Sequence, residues 1–181
     1  RGRPYAEKMR SIVSNLASSV KNIAEDNKFL GDSHDSDKYL LIVATAERGL
    51  CGGFNSSIVK LAKSRIAELR SQNKEIKILT IGKKGREQLK REFEDLFIGH
   101  VDLSNEKNIT IDTARKISTD IISRFEDGEF DVAEIFYNKF ASVISQIPSS
   151  YKLLPVAFNE KEADPTNVSF NFEPDEDEIL N

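Results

Sequence analysis

The densest grouping of chemically useful residues is one short stretch, Arg48-Gly49-Leu50-Cys51-Gly52-Gly53-Phe54-Asn55. Glycines let a backbone take positive φ and approach a ligand closely. A helix starting just after such a turn offers its N-terminus to phosphate. A thiol there, three residues from an arginine, would be driven toward thiolate. The spacing, however, is G-x-x-G-G. It is neither the G-x-G-x-x-G dinucleotide fingerprint nor a P-loop, which ends in Gly-Lys-Ser/Thr. A nucleophilic thiol also needs a base or a resolving cysteine, and Cys51 is the only cysteine in the chain. The residues favour a structural or partner-facing turn. A small nucleotide-binding protein or thiol enzyme using Gly49–Gly53 is the alternative.

Other candidates are weaker. His34 and His100 are far apart and have no companions at metal-ligand spacing, so no metal site is expected. Lys83, Lys84, Arg86, Lys90 and Arg91 form a basic stretch. It reads as a solvated helix face, with phosphate or an acidic partner as the other reading. Asp175, Glu176, Asp177 and Glu178 fit an acidic cap before a helix better than a cation site. Asn138 and Lys139 follow a core strand, where α/β sheets place functional groups. No acid, base or nucleophile converges with them, so they read as structural or interfacial.

The elements that must position these residues follow from hydrophobic periodicity. The chain has 181 residues, enough for one domain with a substantial core and no need of a disulfide. Its net charge of −4 argues against a dedicated nucleic-acid binder. No apolar run is long enough to span a bilayer, so any membrane association would go through partners. Met9, Ile12, Val13, Leu16, Val20, Ile23 and Ala24 recur at helical spacing and predict a long first helix. Residues 39–44, YLLIVA, are a continuous apolar run that suits a strand buried on both faces. A helix over about 55–71 follows, with Asn55 or Ser56 as its cap. A strand at 76–81 ends at Gly82, and a basic helix covers 84–93. A weak strand at 96–101, a helix from Ile111 to about Gly128 and a strand at 132–137 complete the alternation. Beyond Tyr137, residues 143–147, 152–158 and 168–172 look extended and are punctuated by prolines. Alternating β and α with short links predicts an α/β, Rossmann-like three-layer domain, with a mostly parallel sheet and helices on both faces.

The stretch RGLCGGFN closely resembles the signature turn of the gamma subunit of the rotary F-type ATP synthase. Three more segments agree in the same order: Pro4-Tyr5-Ala6-Glu7-Lys8-Met9, then Tyr137-Asn138-Lys139-Phe140 with Ser142 and Pro148, then Phe172-Glu173-Pro174. Ala46 and Glu47 depart from the Ser-Asp pair more usual before Arg-Gly. The resemblance implies a single globular domain over 1–181. Residues 1–26 would be a remnant of the N-terminal shaft helix, and 175–181 the start of the C-terminal one. It implies a non-catalytic rotor stalk without a cofactor of its own, coupling proton flow through the membrane ring to the beta subunits. Expected partners are the alpha, beta and epsilon subunits and the membrane c-ring. The expected place is the cytoplasmic face of the bacterial inner membrane, or the matrix side in a mitochondrion. The turn Arg48–Asn55 would lie near the foot of the beta subunits. Phe170, Phe172 and Glu173 match a segment near the epsilon subunit and ring; the two aromatics are either interface anchors or core residues.

Overall fold

In a computed structural model, residues 3–26, 36–46, 52–104, 111–142 and 145–155 are described. The chain runs α1 (Arg3–Asp26), β1 (Lys38–Ala44), α2 (Gly52–Ser71), β2 (Glu75–Ile81), α3 (Lys83–Phe93), a 3-10 turn (Glu94–Leu96), β3 (Phe97–Val101), α4 (Ile111–Glu126), β4 (Val132–Ser142) and β5 (Ser145–Leu154). The strands form one five-stranded sheet in the order β3-β2-β1-β4-β5. β1 to β4 are parallel, and β5 returns antiparallel along β4. The expected three-layer α/β architecture is therefore present.

The apolar run at β1 explains the layers. Side chains alternate across a strand, so a run without polar gaps buries both faces. Leu40, Ile42 and Ala44 join one cluster, with Ile12, Val13, Leu16, Ala17 and Val20 of α1 and Ile117, Ile121 and Ile122 of α4. Tyr39, Leu41 and Val43 join the other, with Ile58, Ala62, Ile66 and Leu69 of α2 and Leu89 and Phe93 of α3. Ile12, Val13, Leu16 and Val20 of the stripe predicted for the first helix, with Ile23 partly buried, thus pack on the domain beside α4.

The second half differs in detail from the periodicity reading. The strand expected at 132–137 runs on to Ser142, and 145–154 is one strand paired with it, not two separate extended pieces. Pro148 sits inside β5, opposite Asn138. β5 is the edge strand of the described sheet, and an edge tolerates a residue with no N–H to give. Asn138 and Lys139 are therefore ladder residues. The segment 168–172 lies outside the described residues.

One charged contact ties the α2 layer to the sheet. Glu134 points to the α2 face of β4, where an unpaired carboxylate would be costly. Arg65 Nε and Nη2 donate to its two oxygens, each at 2.8 Å, and Arg65 Nη1 donates to Glu68 at 2.9 Å. The guanidinium also lies 5.4 Å from the Tyr39 ring centroid. Hydrogen bonding to Glu134 outweighs partial burial and raises the Arg65 pKa above its already high value. The side chains are 26% and 14% exposed, so water screens the pair only in part. Arg65→Ala should lower unfolding free energy by about 2 kcal/mol, because it strands the Glu134 charge. Arg65→Met with Glu134→Leu should recover most of that loss. Urea titration of the three proteins checks both outcomes.

Candidate partner interface at the carboxyl edge of the sheet

Open α/β sheets present their functional groups at the carboxyl ends of the parallel strands. The signature turn joins two elements at that edge: it leaves β1 and enters α2. Arg48, Gly49, Leu50 and Cys51 lie outside the described residues. Gly52 and Gly53 form the first residues of α2. Asn55 is three residues into the helix, so it does not cap it, contrary to the sequence expectation. The helix starts earlier, and the side chain serves a different donor. Asn55 Oδ1 accepts from the Ala46 backbone N–H at 3.1 Å, in a buried position. Side chains in the first turn lean back toward the helix N-terminus, which carries the amide to the strand exit. One buried bond thus ties the two ends of the turn together across residues 46 and 55.

The same strand exit is held from the other side. Thr45 N–H donates to Ile81 O at 2.8 Å, extending the β1–β2 ladder by one residue. Gly85 N–H donates to Thr45 Oγ1 at 2.7 Å, and Lys84 N–H donates to Ala46 O at 3.0 Å. Those two amides belong to the first turn of α3, which has no side-chain cap of its own. The two residues that follow β1 therefore supply the capping groups that a helix start requires. Thr45 and Asn55 are both almost fully buried.

Gly82 makes this arrangement possible. Its φ is +90°, and a Cβ there would collide with the Thr45 carbonyl. Its N–H donates to Val101 O at 3.1 Å, which joins the end of β3 to the same knot. Beside it, Thr80 Oγ1 and His100 Nδ1 are 2.7 Å apart. Asp102 is exposed, and its carboxyl is held below the usual range, first by hydrogen bonding to the Ser104 side chain. The Ser104 N–H at 2.8 Å, Lys83 and His100 add to this. His100 is thus a packing and hydrogen-bonding residue of the edge strand β3.

The structure brings Asn55 and the glycine pair together with the exits of β1 and β2. Asn138 and Lys139 also lie at this end of the sheet, just past the last β1–β4 pair, Val43 with Phe136, and there they continue the ladder with β5. Phe170, Phe172, Glu173 and the acidic residues 175–178 lie outside the described residues, as does His34. Sequence reasoning missed Thr45 and the close approach at Gly82. The usable signal was the glycine directly after an apolar strand and before a helix that lacks Ser, Thr, Asp or Asn at its cap position. Among the described residues, no group of three or more His, Cys, Asp or Glu could hold a metal.

Gly82→Ala should prevent stable folding or cost more than about 3 kcal/mol, since it combines strain at positive φ with a backbone clash. Gly128→Ala is the internal comparison: φ is +77°, but nothing lies within 4 Å of the added carbon. It should cost about 1 kcal/mol, the conformational term alone. Asn55→Ala should cost about 2 kcal/mol by leaving the buried Ala46 N–H unpaired. Denaturant melts measure all three. Faster amide exchange at Ala46 in Asn55→Ala would locate the effect.

The comparisons with known proteins agree with this architecture. The family model described as ATP synthase matches residues 1–181. The ATP synthase gamma chain of Paracoccus denitrificans is 50% identical over 179 residues, which is 99% of this chain and 61% of that protein. The gamma chain of Dinoroseobacter shibae is 49% identical over 178 residues, 98% of this chain and 61% of its own length. The chain thus spans about three fifths of the curated relatives it matches. Among solved structures, the central stalk and c-ring of the Tetrahymena thermophila mitochondrial ATP synthase contains a similar chain. It is 28% identical with a TM-score of 0.59, covering 83% of this chain and 68% of that one. A rotor chain of the Euglena gracilis enzyme, at 18% identity and a TM-score of 0.51, shares the fold. Nothing found supports the alternative of a nucleotide-binding protein or thiol enzyme. With a family match along its entire length and a sheet of the same fold, the chain belongs to the ATP synthase gamma-chain family.

Proposed function

We propose that this chain is the globular base of the central rotor stalk of a proton-translocating ATP synthase. The observation that carries the reading is the 50% identity to a named ATP synthase gamma chain along 99% of the residues. The 28% identical neighbour lies in a central stalk and c-ring assembly, which supports the same role. The domain does no chemistry on this reading. It transmits rotation between the membrane ring and the beta subunits, whose sites make or hydrolyse ATP. Residues 1–26 continue one shaft helix and 175–181 begin the other. The domain is peripheral, on the side of the membrane that carries the catalytic head.

The knot at the carboxyl edge fits a load-bearing part. A turn that touches a partner under torque transmits force only when its ends are fixed. Here the ends are fixed by Asn55 to Ala46, and the strand exit is tied to α3 and β2. The turn 48–55 is assigned to the beta-subunit contact, and Phe170, Phe172 and Glu173 to the epsilon and ring contact, through the family pattern alone.

The full-length protein, expressed in a bacterium deleted for its own gamma chain, should restore ATP-driven proton uptake in inverted membrane vesicles. Absence of both assembly and pumping would overturn the stalk reading, as would micromolar binding of ATP, ADP or NAD to the free chain. Amide exchange at 49–54 in the assembled enzyme should be slow, near that of the helix it enters. Exchange as fast as at a frayed terminus would contradict a stiff turn.

A further inference from the structure

The basic stretch singled out in the sequence forms a defined face. With about 100° of turn per residue, Arg86, Lys90, Lys83, Arg91 and Lys84 fall within an arc of about 160° on α3. The opposite side carries Gly85, Leu89 and Phe93, which are buried on the sheet. Lys63 of the neighbouring α2 takes Glu92 at 2.7 Å, and Arg70 of α2 stacks on Phe93 at 5.3 Å. These contacts fix how α3 is rotated, with its cations turned away from the sheet. None of the five forms an ion pair with a described carboxylate, although Lys83 stands close enough to Asp102 to help lower its pKa. Only Glu87 lies within the arc. The face therefore carries five cations and one anion on a chain whose net charge is −4.

Three of the five work against the helix that bears them. Lys83, Lys84 and Arg86 crowd the first turn, which has no acidic residue. Cations are unfavourable at that end of the macrodipole. Lys90 and Arg91 stand in the favoured last turn, but the other three are not paired with acids of their own helix, as the arginines of α4 are in Arg115 to Asp112 and Arg124 to Asp120.

We propose that the outer face of α3 docks an acidic segment of a protein partner, a helix or loop rich in Asp and Glu. Arginine forks pair carboxylates bidentately, and Arg86 and Arg91 flank the face. Glu87 gives a polypeptide a point of register by meeting a basic residue among its acids, whereas a sheet of phosphate groups would be repelled by it. A membrane-surface helix would also expose apolar side chains to insert. On α3 the large ones, Leu89 and Phe93, are buried, and the exposed large apolar residue among those described is Ile147 on β5. Nucleic acid is disfavoured by the acidic chain as a whole. The face lies on the helix whose first turn is tied to Thr45 and Ala46. It therefore adjoins the exit of β1, after which the signature turn follows in the chain, and the inference rests on the stalk reading for its setting.

The test uses the purified whole enzyme containing the full-length chain. Assembly is measured first, and its failure counts against the stalk reading itself. In assembled enzyme, a zero-length carbodiimide should join Lys83, Lys84 or Lys90 to Asp or Glu of another subunit, as read by mass spectrometry. Arg86→Gln with Arg91→Gln keeps the reactive lysines and removes two cations. It should reduce those cross-links at least about fivefold, as should high salt, since exposed pairs are weak and screened. Cross-links confined to the chain's own carboxylates, or an Arg86→Gln/Arg91→Gln yield equal to the parent, would overturn the proposal. So would co-sedimentation of the full-length chain with vesicles of phosphatidylglycerol that is lost in the same variant, because lipid would then be the occupant.

Discussion

Two parallel strands must leave the sheet side by side at Ala44 and Ile81, and their chains then go to different places. β1 feeds the turn and α2; β2 feeds α3. The exits are in contact, because Thr45 N–H still bonds Ile81 O. Only a residue without a Cβ can pass the Thr45 carbonyl there, and Gly82 does so at positive φ. Once that passage is made, the Thr45 hydroxyl and the Ala46 carbonyl lie where α3 needs acceptors. Ala46 N–H lies where Asn55 can receive it. The orientation of two helices and the anchoring of the family turn thus all depend on one close backbone approach.

The two helical layers are held differently, and the difference is chemical. On the α1 and α4 face the packing is mainly aliphatic, with Phe130 and Tyr137 of the sheet region completing it. Apolar contact is strong but non-directional, so it fixes separation better than register. On the α2 face the Arg65–Glu134 fork adds a directional constraint across the same kind of apolar packing. α2 is also the helix that the signature turn enters. Register is therefore pinned along the element that meets a partner on the proposed reading.

Much of the fold was legible because its determinants are local. YLLIVA suits a strand buried on both sides, and the stripes of α1, α2 and α4 carry the 3.6 period over several turns. The β4–β5 hairpin was less legible. Pro148 looked like a boundary, and it is tolerated inside β5 only because the strand lies at an edge, a fact about the sheet and not about the local sequence. The site divides in the same way. The turn was visible from its glycines and its collinear companions. The tether was not, since Asn at that spacing reads as a cap, and its acceptor serves the amide of Ala46, just past β1 and nine residues back. Glu134 gave no signal either. An acid in the middle of an apolar strand becomes intelligible only when Arg65 of α2, 69 residues away, is found opposite it.

Charge is treated in two ways on neighbouring helices, and the contrast separates what holds the domain together from what it offers outside. Arg65 is committed: both carboxylate oxygens of Glu134, a third contact from Glu68 and an aromatic face occupy it. Removing either partner would strand a poorly solvated charge, so the pair resists exchange for an outside ligand. The five cations of α3, three exposed and two half-buried, form no ion pair with a described carboxylate, and a partner's carboxylates would displace mainly water to reach them. Such pairs are individually weak, and they sum only when their spacing is rigid. Rigidity is what the tied first turn of α3 and the Lys63 and Arg70 contacts from α2 provide. The internal ion pair and the backbone knot thus do for the outer face what they do for the turn. They fix positions in advance, so that contact with a partner does not have to order them.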